Sequence, residues 1–105
     1  METSKADWKL FQKKIPAWQE RYMERLNNEY VEMLSGEGKA SEKFWELEKR
    51  IKEDRRNPGV MIRLDKKEVA VDLARLINYE VITADDLEGF SEEMKETVLR
   101  MTGGN

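Results

Sequence analysis

The first third of the chain carries a stripe of large apolar side chains at helical spacing. Over residues 8–35 they recur every three or four positions, which is the repeat of one helix face. The stripe consists of Trp8, Phe11, Ile15, Trp18, Tyr22, Leu26, Tyr30 and Met33. The pattern predicts one helix of about eight turns, and the glycines at Gly36 and Gly38 are expected to end it.

Pro16 interrupts this stripe and leaves two alternatives. Proline lacks the backbone donor that a helix uses, and it disfavours helical geometry at the preceding residue, Ile15. The helix therefore either bends at Pro16 or stops there and restarts with proline in its first turn. Because the stripe keeps its phase across Pro16, the kinked continuous helix is favoured.

A second, strongly charged helix is predicted over residues 41–56. Ser41 is a residue type that caps helix N-termini, and residues 57–59, Asn-Pro-Gly, form a strong stop signal. Arg55 and Arg56 would lie in the last turn, where positive charge complements the helix dipole.

Two aromatic side chains stand next to each other near the start of this second helix. At about 100° per residue, Phe44, Leu47 and Ile51 share one face, which is predicted to lie on the core. Trp45 points in a different direction and is predicted to pack against the aromatic-rich first helix. The alternative is that Trp45 anchors an interface with a partner, a position in which tryptophan is enriched.

The remaining chain is predicted to form a cluster of short helices over residues 65–101. Asp65, Thr83 and Ser91 each precede a helical pattern as N-cap residues. The expected buried side chains are Val69, Leu73, Leu76, Ile77, Met94, Val98 and Met101. Residues 60–64 are short and apolar; an extended connector is favoured over a strand, because a strand there has no evident partner.

These elements predict one all-α domain spanning residues 1–105. A long kinked N-terminal helix would pack with the second helix and with a C-terminal cluster of two or three short helices. Hydrophobic and charged residues each make up 39% of the chain, enough apolar surface for one modest core.

The composition and motifs argue against an enzyme. The chain has no cysteine and no histidine, which removes thiolate chemistry, imidazole catalysis and the usual zinc and haem ligands. It has neither a nucleophile elbow nor a phosphate-binding glycine loop, and residues 83–93 lack the ligand spacing of a calcium loop. We therefore predict no catalytic residue, no cofactor and no metal site.

Charge is distributed unevenly along the chain. Residues 41–67 carry nine basic and six acidic side chains, whereas residues 68–105 carry three basic and nine acidic ones. The basic segment 49–67 raises the alternative of nucleic-acid binding. Interleaved acidic residues favour instead a solvated helix face with pairs such as Glu48–Lys52.

Two further binding hypotheses are weaker. Residues 69–90 can be drawn as a helix-turn-helix unit, but its second helix would present Asp85, Asp86 and Glu88 to phosphate groups. A small-molecule site would need a pocket between the three tryptophans of the chain, Trp8, Trp18 and Trp45.

Three blocks carry a resemblance to a known family. They are IPAWQERYMERLNNEY, SEKFWELEKRIKEDRRNPGV and NYEVITADDLEGFSEEMKETV. Together they resemble a family of small, uncharacterised cytosolic helical proteins from Firmicutes, some of which are labelled as multidrug transporters. That label does not suit this sequence, in which no segment is apolar enough to cross a bilayer. The resemblance implies no activity, ligand or catalytic residue.

We therefore expect a cytoplasmic, non-catalytic module for protein interaction or regulation, including self-association. The N-terminus has no apolar stretch of signal-peptide length, and no membrane partner is expected. The predicted partner contacts are Trp45, Arg55 and Arg56. A nucleic-acid-binding accessory protein using residues 49–67 is the less favoured alternative.

Overall fold

All regular structure in the computed structural model, which describes residues 2–103, is helical. The α-helices of this part of the chain are α1 (Lys5–Ser35), α2 (Ala40–Asp54), α3 (Val69–Asn78) and α4 (Glu92–Met101). Short 3-10 turns occur at Lys66–Glu68 and Ala84–Leu87. The all-α prediction is confirmed. Residues 60–64 form an irregular connector, and no strand occurs within residues 2–103.

The first helix is longer than predicted and is not broken by proline. It begins at Lys5 because the Ser4 hydroxyl accepts a hydrogen bond from the backbone N–H of Asp7 at 3.1 Å. It then runs for 31 residues with Pro16 inside it, so the alternative of a stop and restart at Pro16 is wrong. Pro16 itself faces solvent.

The core forms along the N-terminal two thirds of α1. Its buried side chains from α1 are Phe11, Ile15, Trp18, Tyr22 and Leu26. Against them pack Val69, Leu73, Leu76, Val81, Ile82, Leu87, Phe90, Met94 and Val98. The predicted stripe is thus fully buried only from Phe11 to Leu26. Met101 is exposed, contrary to prediction, because it lies in the last turn of α4 beyond the final core residue, Val98.

The stop signal after α2 is also a packing element. The Asn57 side chain accepts a hydrogen bond from the Gly59 N–H at 2.7 Å and donates one to the Tyr22 hydroxyl at 2.9 Å. Gln19 donates to the Pro58 carbonyl at 3.1 Å. Pro58 is fully buried, so this turn is fixed against the middle of α1.

A buried carboxylate joins the start of α1 to the start of α4. Asp7 is 2% exposed and accepts hydrogen bonds from the Ser91 N–H at 2.9 Å and the Ser91 hydroxyl at 2.6 Å. The same hydroxyl accepts from the Met94 N–H at 3.2 Å, which confirms Ser91 as the N-cap of α4. Two helix starts are therefore tied together through one side chain.

The predicted short helix after Thr83 is a 3-10 turn that is fastened to α1. Asp86 accepts from the Thr83 N–H at 2.9 Å and forms an ion pair with Arg21 at 3.0 Å. Although burial opposes ionisation, these hydrogen bonds from Arg21 and Thr83 lower the pKa of Asp86 below its usual value. Asp86 thus caps this turn and fastens it to α1.

Candidate protein-interaction surface

The second helix contributes no buried side chain to the molecule. The prediction that Phe44, Leu47 and Ile51 face the core is therefore wrong: Phe44 is 62% exposed, Ile51 is 39% exposed and Leu47 is half-buried. The physical reason is that α3, α4 and the connectors already cover α1 as far as Leu26. α2 instead lies along the C-terminal part of α1, where Arg50 and Asp54 contact Glu29 and Tyr30.

The ends of α2 also differ from the prediction. The helix begins at Ala40 with Lys39 in the N-cap position and no side-chain cap, so Ser41 is not the cap. It ends at Asp54 rather than at residue 56. Arg55 and Arg56 consequently lie in the turn that follows the last helical residue.

Phe44 and Trp45 form an exposed edge-to-face pair, which we call the aromatic pair. Their ring centroids are 4.9 Å apart with an interplanar angle of 87°, a favoured geometry for aromatic side chains. Trp45 is 62% exposed, so its predicted packing against the first helix is wrong. The two rings, expected to face different surroundings, instead contact each other on the outside of the molecule.

Polar contacts attach α2 to α1. Arg50 forms ion pairs with Glu29 of α1 and, at 3.0 Å, with Asp54 of α2. Tyr30 of α1 donates a hydrogen bond to Asp54 at 2.5 Å. Burial, and next this bond to Asp54, raise the pKa of Tyr30 to about 12. The hydrogen bond to Glu29 likewise raises the pKa of Arg50.

These attachments are weak compared with an apolar core. Partly exposed ion pairs contribute only about 0.2 to 1 kcal/mol each. We refer to residues 23–54, the C-terminal part of α1 with α2, as the hairpin. Because no α2 side chain is buried, the hairpin is held mainly by these polar contacts and by the turn that follows α2.

A cavity of about 210 Å³ opens between the two helices of the hairpin. We call it the hairpin groove. It is lined by Met23, Leu26, Asn27, Tyr30, Ile51, Asp54, Arg55 and Val60. Most of these side chains are apolar or aromatic, while Asp54 and Arg55 place charges at the α2 side. The groove has the mixed character of a surface that binds an apolar side chain and orients it with a few polar groups.

The structure does not bring the three predicted partner contacts together. Trp45 is about 14 Å along the helix axis from Asp54, at 1.5 Å per residue, and Arg55 and Arg56 lie in the turn after Asp54. Arg55 lines the hairpin groove, and Arg56 is exposed. The three side chains mark two ends of one helix rather than one cluster.

The basic segment is largely unpaired. Of its eight basic side chains, only Arg50 and Lys52 form ion pairs within residues 2–103, and Lys52 does so with Glu48 at 3.0 Å, as predicted. The other six are exposed, namely Lys49, Arg55, Arg56, Arg63, Lys66 and Lys67. Their positive charge is therefore available to an external partner.

Other parts of the described chain offer less. No group of three or more metal-binding side chains occurs in residues 2–103. A cavity of about 470 Å³ is lined by Glu2, Thr3, Lys66 and Lys67. No tryptophan lines that cavity or the hairpin groove, and Trp18 is instead buried against Phe90, with ring centroids 6.4 Å apart.

The exposure of Phe44 and the presence of the hairpin groove could not be recognised from helical phase alone. One signal was available: nine of the 15 residues of α2 are charged. Such a helix has little apolar surface for a core, so its two large aromatic side chains stand out. The groove depends on how two helices lie side by side, and no local pattern encodes that.

No helix within residues 2–103 has the length and apolar character needed to cross a membrane.

Comparisons with known proteins add no relative. The Firmicutes resemblance stays a prediction. No protein-family model, curated protein or solved structure matches this chain.

Proposed function

We propose that this protein is a non-catalytic, cytoplasmic protein-interaction module that binds its partner through the hairpin. The observation that carries this proposal is the aromatic pair. Phe44 and Trp45 are each 62% exposed on a helix that contributes nothing to the core. Burying a large apolar side chain is worth about 1.5 to 3 kcal/mol, and folding leaves much of that gain unused.

The shape of the molecule supports the same role. A compact chain of this length has a radius of gyration of about 13 Å, whereas the observed value is 16.4 Å with extents of 52 × 25 × 17 Å. The excess length arises because α1 continues beyond Leu26, the last core residue on that helix. A projecting hairpin presents its flanks to a partner without disturbing the core.

The residue types on the hairpin suit an interface. Tryptophan, tyrosine and arginine dominate the residues that carry binding energy in protein complexes. Trp45 and Arg56 are exposed on α2 and the turn after it, and Tyr30 and Arg55 line the groove. We expect the aromatic pair to supply apolar contact area and the arginines to supply orientation.

An affinity experiment tests this role. Protein captured from an extract of the native host by the wild-type chain is compared with that captured by Trp45→Glu. The matched control is Val71→Glu, which alters an exposed apolar residue of α3. We expect Trp45→Glu to abolish capture and Val71→Glu to retain it. Equal capture by all three chains contradicts an interaction role for the hairpin.

A second candidate function is nucleic-acid binding through residues 49–67. Six exposed basic side chains without ion pairs to described residues favour it. Retention on heparin should then fall steeply with salt, since each neutralised phosphate releases counterions. The variant Arg55→Ala/Arg56→Ala should elute at lower salt than wild type. Absence of retention at low salt argues against this alternative.

A further inference from the structure

The larger cavity lies at the opposite end of α1 from the hairpin. It has a volume of about 470 Å³ and is lined by Glu2, Thr3, Lys66 and Lys67. Thr3 directly precedes Ser4, the N-cap of α1, and the two lysines begin the 3-10 turn before α3. The volume is within the range of about 300 to 1,000 Å³ that is usual for small-molecule sites. We call this space the N-terminal cavity.

The connector after α2 brings the two lysines to the start of α1. Gln19 of α1 donates a hydrogen bond to the Pro58 carbonyl at 3.1 Å, whereas Lys66 lines the N-terminal cavity together with Thr3. Gln19 lies about 21 Å along α1 from the first residue of that helix, and about eight residues of extended chain cover such a distance. The lysines therefore lie far from the hairpin.

The turn that carries the lysines separates its acidic from its basic side chains. Asp65 caps the turn by accepting a hydrogen bond from the Lys67 N–H at 3.0 Å. Besides burial, which acts most strongly, the charges of Glu68 and Asp65 raise the pKa of Asp72 on α3. Both acidic side chains therefore lie near that carboxyl, and neither lines the N-terminal cavity.

Positive charge predominates in the lining of the N-terminal cavity. Lys66 and Lys67 are exposed, and neither forms an ion pair with any residue of the range 2–103. Glu2 is the single acidic residue in the described lining. Two ammonium groups against one carboxylate favour an anionic ligand.

The hydroxyl of Thr3 is a polar group in need of a partner. Thr3 is only 5% exposed, and its side chain makes no hydrogen bond within residues 2–103. In that range Asp72 Oδ2 is the one fully enclosed side-chain oxygen or nitrogen without a partner. The Thr3 hydroxyl therefore keeps access to the cavity that Thr3 lines. Since buried polar groups are normally hydrogen-bonded, a ligand in the cavity would supply the missing partner.

We propose that the N-terminal cavity binds the phosphate group of a small organic phosphate monoester. Lys66 and Lys67 pair with the phosphate oxygens, and the Thr3 hydroxyl donates a further hydrogen bond. The charge of the ligand decides between phosphate and carboxylate. A phosphate monoester carries about −1.5 to −2 charges at neutral pH and has three acceptor oxygens, which match two ammonium groups and one hydroxyl. This site is separate from the hairpin and goes beyond the interaction role.

Nuclear magnetic resonance of the backbone amides tests this site by titration at low salt. Glycerol phosphate should shift the amide signals of Thr3, Lys66 and Lys67 saturably, with a dissociation constant of about 1 mM, whereas glycerol should shift none of them. Inorganic phosphate should bind more weakly, because it leaves most of the cavity empty. Equal affinity for inorganic phosphate overturns the assignment to a monoester, and the absence of saturable shifts overturns the site.

Two charge-matched variants distinguish a defined site from diffuse attraction. Lys66→Ala/Lys67→Ala removes two positive charges at the cavity and should weaken glycerol phosphate binding at least about tenfold. Arg55→Ala/Arg56→Ala removes two at the hairpin, beyond the range of about 10 Å over which salt leaves charges effective, and should change binding less than about twofold. An equal loss in both variants overturns the site.

The hydroxyl of Thr3 has its own test. Thr3→Val keeps the size of the side chain and removes the hydroxyl, so it should weaken glycerol phosphate binding about fivefold. Thr3→Ser retains the hydroxyl and should bind like wild type. Circular dichroism and urea unfolding show that both variants are folded. Equal binding by the two variants contradicts a contact between Thr3 and the phosphate.

Glu2→Gln tests the sign of the ligand charge through a gain of binding. Because the Glu2 carboxylate opposes a bound anion, its removal should tighten glycerol phosphate binding about two- to threefold. Glu2 is exposed, so the variant should fold like wild type. Weaker binding by Glu2→Gln overturns the anion assignment. Oligothymidylate that binds more tightly than glycerol phosphate and shifts amides throughout residues 49–67 favours nucleic acid and overturns a small-molecule site.

Discussion

At the scale of single residues, Gly59 shows how closely the turn after α2 fits α1. A Cβ atom added at Gly59 would lie 2.8 Å from Tyr22 Cγ and 2.8 Å from Val81 Cγ2. Neither neighbour is free to move, because both belong to the buried core. The need for glycine here comes from a close approach of two segments and not from an unusual backbone angle.

We predict that Gly59→Ala destabilises the protein by about 1 to 3 kcal/mol, the usual cost of overpacking a core. Equilibrium unfolding in urea measures the change. Gly36→Ala is the matched control: its Cβ would have no neighbour closer than 3.9 Å, so its stability should stay within about 0.5 kcal/mol of wild type. Equal stability of all three chains contradicts this account of the turn.

Asp72 makes stability depend on pH. It is 6% exposed, and its Oδ2 atom has no hydrogen-bond partner within residues 2–103. Burial raises the pKa of this carboxyl from 3.8 to about 6, Arg75 opposes the shift, and Glu68 and Asp65 add to it. The folded state thus disfavours the charged form of Asp72. The resulting loss of stability is absent at pH values below the pKa of this carboxyl in the unfolded chain, and it is complete above the pKa in the folded protein.

We predict that Asp72→Asn is about 1 to 2 kcal/mol more stable than wild type at neutral pH, an estimate reduced for solvent screening. The advantage should shrink as pH falls through about 6 toward 4. Urea unfolding across this pH range measures it. Asp85→Asn, which removes a charge from an exposed position, should not gain in the same way. A stability difference that does not change with pH contradicts the predicted role of Asp72.

At the scale of secondary-structure elements, α1 tolerates a proline that should weaken it. Pro16 lies within the 31-residue helix and faces solvent. It supplies no N–H to the Gln12 carbonyl, one turn earlier. The flanking core contacts of Ile15 and Trp18 hold the helix together across this position, so tertiary packing compensates for a local defect.

We predict that Pro16→Ala stabilises the protein by about 1 to 2 kcal/mol, because alanine restores the hydrogen bond and has the highest helix propensity. Part of the gain is lost through the greater freedom of the unfolded chain. Thermal or urea unfolding measures the difference. Ala17→Gly at the neighbouring exposed position should cost about 1 kcal/mol of stability, and it shows how strongly helix propensity acts at this point of α1. A less stable Pro16→Ala variant contradicts this explanation.

At the scale of the whole molecule, stability is distributed unevenly. The N-terminal part of α1 packs with α3 and α4 in one apolar core, whereas α2 is attached mainly by polar contacts such as those of Arg50. Segments with few buried apolar contacts open locally at a lower free energy than the core. The hairpin and the core should therefore differ in their opening behaviour.

We predict that amide hydrogens of α2 exchange at least about tenfold faster than those of α3 in dilute solution. Hydrogen exchange followed by nuclear magnetic resonance measures both helices in one sample. Arg50→Ala should speed exchange in α2 further and leave α3 unchanged. If the amide hydrogens of α2 exchange only when the whole monomer unfolds, the prediction of a weakly attached hairpin is wrong.

Local sequence patterns determined much of the helical architecture. Helical periodicity identified α1, and cap residues at Thr83 and Ser91 located the start of later elements within a residue or two. These features depend on interactions between residues three or four positions apart, which are present in any window of sequence. The continuous course of α1 past Pro16 was favoured for the same reason, since the apolar stripe kept its phase.

Only the tertiary structure decided which apolar side chains are buried. Periodicity placed Ile51 and Phe44 on a common face of α2. Burial of that face also requires a surface to pack against, and α3, α4 and the connectors cover the core-facing side chains of α1. A helix can be read from its own residues, whereas its place in the core depends on competition among all the elements. For this reason the sequence alone specified α2 as a helix, and the fold determined that its aromatic residues lie on the surface.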